Sequence, residues 1–375
     1  MNIIVFTPTL VRGDAVSHDV LSMVDALRRA GHAAHASASW INDGIEAIPL
    51  GDAVERLKSA DDLLIYHHSI GLEEAVTLYD RLPCRKIVKY HNVTPPHFFA
   101  GINKEVMRGC QLGLDQLGRL LDGCEAVWVD SDFNGRDVQQ HRPGMPYEVL
   151  PPFNQMDELL AAEPELTSVG LYDDWLTNVL VVGRVVPNKN ALLAVDAFAE
   201  YRAKHDRHSR LILVGDVAQN KYCDRVIARI RELQLSRHVV ITGKINQRQL
   251  KTLFMTSQAL LTTSSHEGFC LPLVEAMGLR VPIVAVPTTA IPDTAGDVAW
   301  YAEATPAAIA ERLNDVRVRD REREDRLNSG WQRYREMFSN EMIEQRLMVL
   351  FEGKGVKTSP SPDIPTLLRF HESCS

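Results

Sequence analysis

Two glutamates, Glu267 and Glu275, flank a turn that follows an apolar strand and opens a helix. Residues 259–263 have the composition of a buried strand, and Pro272 is tolerated in a first helical turn, so the helix should begin near Leu271. Glu275, predicted in that first turn, suits the neutral hydroxyls of a ribose better than a directly contacted phosphate. Glu267 could reach a second sugar. The free backbone N–H groups of the turn would face an anion at the positive end of the helix dipole: Gly268, Phe269, Cys270 and Leu271.

Two cations follow a second apolar run. Residues 178–182 predict a short buried strand that leads into Gly183 and Arg184, with Lys189 five residues further on. Arg184 offers a planar fork of donors and Lys189 a compact charge, a combination suited to neutralising a diphosphate. Taken singly, each motif also has a local explanation, since cations at strand ends often only solvate a loop and glutamate is favoured in a first helical turn.

In combination, the two motifs resemble those of the family-4 retaining glycosyltransferases, which have the GT-B fold. The resemblance covers residues 2 to 352 and rests on Gly183-Arg184-x-x-Pro187-x-Lys189 and on Glu267-x7-Glu275 with Gly268, Phe269 and Pro272 between the glutamates. It implies that Arg184 and Lys189 bind the diphosphate of a nucleotide-sugar donor. It also implies that Glu267 contacts the donor sugar and Glu275 the nucleotide ribose, within a donor site that includes the backbone of Gly183 and of residues 268–271.

A histidine, His91, follows the strand predicted for residues 86–90 and precedes a proline-rich turn. This position lies at the rim of the predicted cleft, and in the resembled family it faces the donor sugar. The resemblance therefore implies that His91 orients the sugar and steadies developing charge, as part of a catalytic set with Arg184, Lys189 and Glu267. A histidine that simply ends a strand is the alternative interpretation.

Two further segments of the first half could meet the acceptor. The loop after the first strand contains Arg12-Gly13-Asp14, and Gly13 would let the backbone approach a donor phosphate. Many members of the resembled family have two adjacent glycines here, so Arg12 or Asp14 could instead contact the acceptor. His67 and His68, at the end of the strand predicted for residues 62–66, could line the same side.

The segment Asp130-Ser131-Asp132 has the D-x-D form that binds a divalent cation in the other major glycosyltransferase fold. Because Arg184 and Lys189 already supply positive charge for a diphosphate, we expect no metal there, and Ser131 with Asp132 could simply cap the next helix. The six cysteines contain no C-x-x-C pair, and no matched carboxylate spacing accompanies the histidines. We therefore expect neither a metal nor another cofactor.

Composition excludes several classes of protein. The 375 residues carry a formal net charge of −8, which argues against a surface that coats nucleic acid. Apolar residues make up 45% of the chain, enough for a large core, and the length favours two domains. No apolar run reaches the length of a membrane span, and the cysteines are typical of free thiols in a reducing compartment. We expect a cytoplasmic protein, with peripheral contact at the inner face of the membrane if its acceptor is lipid-linked.

Strand-like and helix-like segments alternate, which predicts an α/β fold of two doubly wound, Rossmann-like domains that face each other across a cleft. Helices are predicted from Val16 to Ala30, at 102–122 and at 339–351. Strands are predicted at 2–6, 62–66, 86–90, 126–129, 179–183, 210–214, 238–241, 259–263 and 282–286. The predicted division is an acceptor-side domain at 1–152, a linker at 153–177, a nucleotide-sugar-binding domain at 178–335, a helix at 336–352 that crosses back to the first domain, and a disordered tail at 353–375.

These observations predict a retaining, metal-independent transferase that moves a hexose from a nucleotide-diphosphate sugar to a saccharide or lipid-linked saccharide. Segments around 90–96 and 131–134 resemble those of bacterial mannosyltransferases of surface-polysaccharide assembly, so GDP-mannose is the first donor to consider and UDP-glucose the second. A nucleotide-sugar epimerase of the same shape and a non-catalytic sugar-nucleotide binder are the alternatives. A dinucleotide-dependent dehydrogenase is disfavoured because no G-x-G-x-x-G follows the first strand. The sequence leaves the oligomeric state open.

Overall fold

The structure is a computed structural model that describes residues 1–217 and 221–353. The tail predicted at 353–375 lies outside the described residues, apart from Gly353. No helix among the described residues combines the length and the apolar character needed to cross a membrane.

Seven strands form the first sheet: β1 (Asn2–Leu10), β2 (Ala33–Ile41), β3 (Ile48–Pro49), β4 (Leu63–His68), β5 (Arg85–Tyr90), β6 (Ala126–Val129) and β7 (Glu148–Val149). Five helices connect them: α1 (Ala15–Arg29), α2 (Leu50–Arg56), α3 (Glu73–Arg81), α4 (Lys104–Asp122) and α5 (Asp132–His141). The strand order is β3-β2-β1-β4-β5-β6-β7, and the strands pair in parallel. Alternate residues of β1 pack on opposite faces, Ile3 and Val5 on one and Ile4 and Phe6 on the other, so both faces are buried.

Six strands form the second sheet: β8 (Thr177–Val182), β9 (Ser209–Val214), β10 (Val239–Gly243), β11 (Ala259–Thr262), β12 (Ile283–Ala285) and β13 (Trp300–Tyr301). Between them lie α8 (Ala191–Lys204), α9 (Lys221–Glu232), α10 (Gln247–Met255), α11 (Leu271–Gly278) and α12 (Ile291–Ala295). The order is β10-β9-β8-β11-β12-β13, again with parallel pairing. The strand order therefore reverses between β8 and β11, and a crevice opens at such a point in an open α/β sheet.

The nine predicted strands each overlap an observed strand, whereas three two-residue strands, β3, β7 and β13, and the longer β2 have no predicted counterpart. The strand β2 is rich in alanine and serine, which have little preference for strands, and it is stabilised by its position between β1 and β3. The first predicted helix agrees with α1 to within one residue, and Gly31, at φ +90°, supplies the left-handed residue that ends it.

Two chain segments cross between the sheets. The segment predicted as irregular, 153–177, contains two short helices, α6 (Met156–Ala161) and α7 (Leu166–Tyr172). After the second sheet, residues 306–333 form two helices, α13 (Pro306–Val318) and α14 (Asp320–Arg333). A π-helical turn over Tyr334–Phe338 then leads into α15 (Asn340–Phe351).

The helix α15 packs against the first sheet, not the second. Ile343 and Leu347 join the apolar cluster that contains Val24 and Leu27 of α1, and Glu344 forms an ion pair with Arg29. Asn154 binds both sides of the return crossing, since its side-chain amide donates to the Phe338 carbonyl at 2.8 Å and its own carbonyl accepts from Asn340 Nδ2 at 2.8 Å. The outgoing and returning segments thus lie side by side.

Candidate functional site

A pocket lies at the carboxyl ends of β8 and β11, where the strand order reverses. Its polar lining comes from the two predicted motifs and the residues that follow β11: Gly183, Arg184, Lys189, Thr263, Ser264, Glu267 and Cys270. Binding sites of open α/β sheets lie at this kind of edge. The second sheet therefore brings two cations and a carboxylate to the position where a ligand is expected.

Lys189 and Glu267 form an ion pair within this pocket. Lys189 Nζ donates to both carboxylate oxygens of Glu267 at 2.6 Å, and the Ser264 hydroxyl donates to Oε1 at 2.6 Å. The Lys189 side chain is 23% exposed and that of Glu267 is 7% exposed. The pair is therefore preassembled on the pocket wall, and the ammonium remains accessible to a ligand.

Arg184 differs from Lys189 in having no carboxylate partner within residues 1–217 and 221–353, and its side chain is exposed. It follows Gly183, whose φ of +147° lies in a region that L side chains rarely adopt. Burial raises the pKa of Cys110 in the first domain, and the charge of Arg184 offsets part of this increase. An unpaired guanidinium beside the pocket is free to bind an anion.

The helix α11 begins at Leu271, as predicted, after Cys270 in a left-handed conformation with φ +76°. Glu275 is the fifth residue of this helix and not part of its first turn, which corrects the sequence-based expectation. Glu275, Gly268 and Phe269 lie outside the lining of the pocket. Burial raises the pKa of Glu275 to about 7, and its Oε2 has no hydrogen-bond partner among the described residues. This oxygen keeps its capacity to accept a hydrogen bond, although it is buried in this structure.

His91 lies at the cleft edge of the first sheet, but its ring is buried among groups of the first domain. Its Nδ1 is 2.8 Å from Asp130 Oδ2, and its Nε2 is 2.8 Å from His67 Nδ1. The side chain is only 4% exposed. In this structure both ring nitrogens contact buried protein groups, so neither faces a sugar in the way that the resemblance implies.

The acceptor-side expectation for His67 and His68 is not met, because both side chains are fully buried. His68 Nε2 lies 2.9 Å from the Gly113 carbonyl, and burial lowers the pKa of His68 to about 4. Both histidines belong to the interior of the first domain.

The loop after β1 is exposed, but the side chains of Arg12 and Asp14 already form hydrogen bonds within the protein. Asp14 caps α1 by accepting from the Ser17 backbone N–H at 2.9 Å. The Arg12 guanidinium donates to the Gly44 carbonyl at 3.0 Å. Gly13 has φ +77°, and the neighbouring Arg12 carbonyl accepts from Lys244 of the second domain at 3.2 Å. This loop therefore contacts the second domain near the end of β10.

The two carboxylates of the D-x-D segment have separate partners. Asp130 is 4% exposed and binds Lys89 through Oδ1 and His91 through Oδ2. Asp132 begins α5 and accepts from the Tyr147 hydroxyl at 3.4 Å. Ser131 caps α5, accepting from the Asn134 N–H, which agrees with the capping alternative. The segment is occupied by structural contacts.

Direct contacts join the two domains beside the pocket. His266 Nε2 lies 2.8 Å from Asn92 Oδ1, and the Ser131 hydroxyl donates to the Gly268 carbonyl at 3.0 Å. Asp293 of α12 accepts from the Phe133 N–H at the start of α5. The sequence analysis missed Asn92 and Asp293, and no local pattern marks either residue as a partner of the other domain.

Gly268 packs tightly against the first domain, since a Cβ atom placed on it would lie 2.4 Å from the His91 carbonyl oxygen. Gly268→Ala should therefore push the domains apart at this point. We expect any activity of the closed cleft to fall about 10-fold or more, with a much smaller change in ligand affinity measured by calorimetry. Gly118→Ala is the control, because Gly118 lies in α4 with open space around it. Equal activity of the two variants would contradict this role.

A larger cavity, about 420 Å³, lies elsewhere in the second domain. It is lined by residues at the amino ends of β8 and β11 and on α13 and α14, including Thr177, Gln258 and Arg317. It contains none of the residues of the two motifs. Chemistry and topology therefore favour the smaller pocket at the opposite edge as the candidate functional site.

Comparison with known families finds a match for the second domain. Residues 175–330 match the family described as "Glycosyl transferases group 1". Among characterised proteins, the chain is 29% identical over 178 residues to the MMP alpha-(1->4)-mannosyltransferase of Mycolicibacterium hassiacum, covering 46% of this chain and 42% of that protein. It is 29% identical over 138 residues to the serotype-specific mannosyltransferase WbdA of Escherichia coli, covering 36% of this chain and 17% of that protein. The match thus spans less than half of either relative.

Solved structures resemble the whole fold. The Anabaena protein Alr3699/HepE, in complex with UDP and glucose, superimposes with a TM-score of 0.73 at 16% identity, covering 94% of this chain and 100% of that one. Sucrose-phosphate synthase of Thermosynechococcus elongatus gives a TM-score of 0.73 at 16% identity, covering 94% and 98%. At this identity the likeness concerns the fold, and it confirms the predicted GT-B arrangement of two Rossmann-like domains.

Proposed function

We propose, from the premise that residues 175–330 form a group 1 glycosyl transferase domain in a GT-B fold, that this protein transfers a hexose from a nucleotide-diphosphate sugar to a saccharide acceptor. The observation that carries the proposal is the pocket at the β8–β11 switch point, which holds an unpaired Arg184 beside the Lys189–Glu267 ion pair. A diphosphate needs cations and a sugar needs hydrogen-bond acceptors, and this pocket has both.

In the proposed reaction, Arg184 and Lys189 bind the diphosphate and stabilise the negative charge that develops on it as the bond to the sugar breaks. Lys189 is held by Glu267 before the donor arrives. When Lys189 turns to the diphosphate, the Glu267 oxygens become available to accept from sugar hydroxyls. Glu275, with its free Oε2, accepts from the nucleotide ribose. The acceptor enters from the side of the first domain.

The finer assignment is a retaining, metal-independent mannosyl transfer from GDP-mannose. Mannose is favoured because the relatives that match this chain are named as mannosyltransferases. UDP-glucose is the second donor, since the structurally similar Anabaena protein is described in complex with UDP-glucose. Metal independence is supported by the protein cations in the pocket and by the structural partners of Asp130 and Asp132.

A panel of nucleotides and nucleotide sugars tests the proposal, because binding to the folded state raises the melting temperature by mass action. We expect GDP-mannose and GDP to shift it most, with UDP forms next, and the shift to disappear with adenosine alone. The nucleotide sugar that stabilises the protein should then transfer its hexose to mannose oligosaccharides in excess chelator, with retained configuration by NMR. No shift with any nucleotide would overturn the donor site. An epimerised sugar formed without an acceptor would favour the epimerase, whereas a thermal shift with no chemical turnover would favour the non-catalytic binder.

A further inference from the structure

Five ionisable side chains meet inside the first domain, directly behind the cleft. They are Asp19, His67, Lys89, His91 and Asp130, and none is more than 4% exposed. Asp19 lies in helix α1, and His67 and Lys89 are the penultimate residues of β4 and β5. His91 directly follows β5, and Asp130 directly follows β6. The carboxyl ends of these strands face the second domain. The cluster therefore lies directly behind the surface of the first domain that contacts the second domain.

The contacts form a continuous chain centred on the imidazole of His91. Asp130 lies 2.8 Å from Nδ1, and His67 lies 2.8 Å from Nε2. Lys89 Nζ donates to Asp130 Oδ1 at 2.6 Å and lies 3.9 Å from Asp19 Oδ2. The same Asp19 oxygen is 3.5 Å from His67 Nδ1 and 3.7 Å from His91 Nε2. The ring of His91 is therefore fixed on both sides.

Stability does not account for this cluster. Buried ionic groups are costly to desolvate, and apolar residues of similar volume often give an equally stable core. Two of its atoms, Asp19 Oδ2 and His67 Nε2, have no hydrogen-bond partner among the described residues. Burial also raises the pKa of Asp19 and lowers that of His67. Buried ionisable groups with shifted pKa values are concentrated at functional sites, where they orient other side chains or take part in chemistry.

A metal ion is a weaker explanation. Asp19, His67 and His91 each offer one ligand atom, and these atoms lie within 4.8 Å of one another. The Lys89 ammonium, however, is 3.9 Å from the Asp19 oxygen that would bind the ion. The Lys89 ammonium thus already lies beside both carboxylates, and it would repel a divalent ion.

The cluster connects two functional parts of the molecule. On one side, His91 continues into Asn92, which has φ +68° and contacts His266, while the His91 carbonyl packs against Gly268. On the other side, Asp19 accepts from the Phe153 N–H at 2.8 Å, and Lys89 donates to the Leu150 carbonyl. Residues 150–153 lead into the crossing to the second domain.

We propose that Asp19, His67 and Lys89 are positioning residues that hold His91 and the His91–Asn92 turn where they meet Gly268 and His266, and so link the interdomain crossing to closure over the donor pocket. The proposal rests on the proposed function, because the cleft that closes is the one assigned to the donor. Its consequence is a specific kinetic pattern. Donor groups bind to the second domain, so loss of the cluster should impair turnover and spare nucleotide affinity.

His67→Leu and His68→Leu form a matched pair of variants. Both histidines are fully buried at the end of β4, and each change removes one hydrogen bond, but only His67 belongs to the cluster. We expect His67→Leu to lower kcat about 10-fold or more, with the Kd for GDP and UDP within about 2-fold of the parent. His68→Leu should lower the melting temperature to a similar extent and leave kcat within about 2-fold. His67→Asn, whose amide can replace Nδ1, should restore most of the turnover.

Equal kcat values for His67→Leu and His68→Leu, or a loss of nucleotide affinity that accounts for the whole effect, would overturn the proposal. If His67→Leu does not fold, the isosteric Asp19→Asn carries the same test. Nucleotide-induced compaction, measured by small-angle X-ray scattering, gives a readout without turnover. Absence of sugar transfer by the parent protein would sink the proposed function alone, whereas compaction that is equal in the two leucine variants would sink the positioning role alone.

Discussion

Replacing Arg184 by alanine should lower the turnover number by a factor of about 100 to 1,000, because loss of one group that stabilises transition-state charge typically costs about 3–4 kcal/mol. Arg184 follows a strand end, is exposed and has no carboxylate partner within the described residues. Its charge is therefore available to the leaving diphosphate. Removing it breaks no ion pair, so the free energy of unfolding should change by less than about 0.5 kcal/mol.

The measurement is kcat and KM for the donor identified by thermal shift, beside a melting curve of each variant. Arg184→Lys keeps the charge and loses the planar fork, and it should recover part of the lost rate. Arg237→Ala is the control, since Arg237 is also exposed but precedes β10 at the opposite edge of the same sheet. A fall in melting temperature that parallels the fall in rate would assign Arg184 a structural role instead.

Replacing Glu275 by glutamine should weaken nucleotide binding and stabilise the empty protein. Burial raises the pKa of Glu275 to about 7, and its Oε2 lacks a partner. Hydrogen bonds to a charged group contribute about 1.5–3 kcal/mol, so affinity for the nucleotide should fall about 10- to 100-fold at pH 8. A nucleoside diphosphate lacking both ribose hydroxyls should lose affinity for the parent protein and little for the variant.

The effect on stability follows from the direction of the pKa shift. Because the folded pKa exceeds the unfolded value of 4.5, the folded state binds the proton more tightly. The contribution of Glu275 to stability is therefore most favourable below pH 4.5, becomes less favourable as the pH rises to about 7 and is constant above it, with an upper limit of about 3 kcal/mol for the change. Glu275→Gln should therefore melt a few degrees higher than the parent at pH 8 and nearly together with it at pH 5.

Glu344→Gln serves as the control for Glu275, because Glu344 is also in a helix but pairs with Arg29. Its replacement removes an ion pair and should lower the melting temperature slightly at pH 8 without affecting nucleotide affinity. If Glu275→Gln melts below the parent at pH 8, the carboxylate has a stabilising partner and the ribose assignment loses its basis.

The second half of the site was the part most accessible from sequence. Four residues of the pocket follow short apolar strands: Gly183, Arg184, Lys189 and Glu267. Because the carboxyl ends of parallel strands lie at one edge of a sheet, the sequence pattern was enough to predict that these residues lie close together. Glu275 was assigned to the first turn of α11, although the helix begins at Leu271 as predicted and Glu275 is its fifth residue, one position beyond that turn.

The first half was harder to predict. His67, Lys89 and Asp19 are separated by 22 to 70 positions from one another and come together only through strand order, which a single sequence does not specify. A lysine within the apolar run 85–90 and an aspartate among the buried positions of α1 were the available signals. The orientation of His91 depends on these partners, which is why its contacts with the interior were not foreseen.

The return of the chain to the first domain has a mechanical consequence. The segments at Asn154 and at Phe338–Asn340 cross side by side and are hydrogen-bonded to each other. We therefore expect them to act together as a hinge with a single axis. We expect this paired connection to bend more readily than it twists or slides. If the two sheets separate, they should meet again in one register, with Gly268 returned to the same carbonyl oxygen.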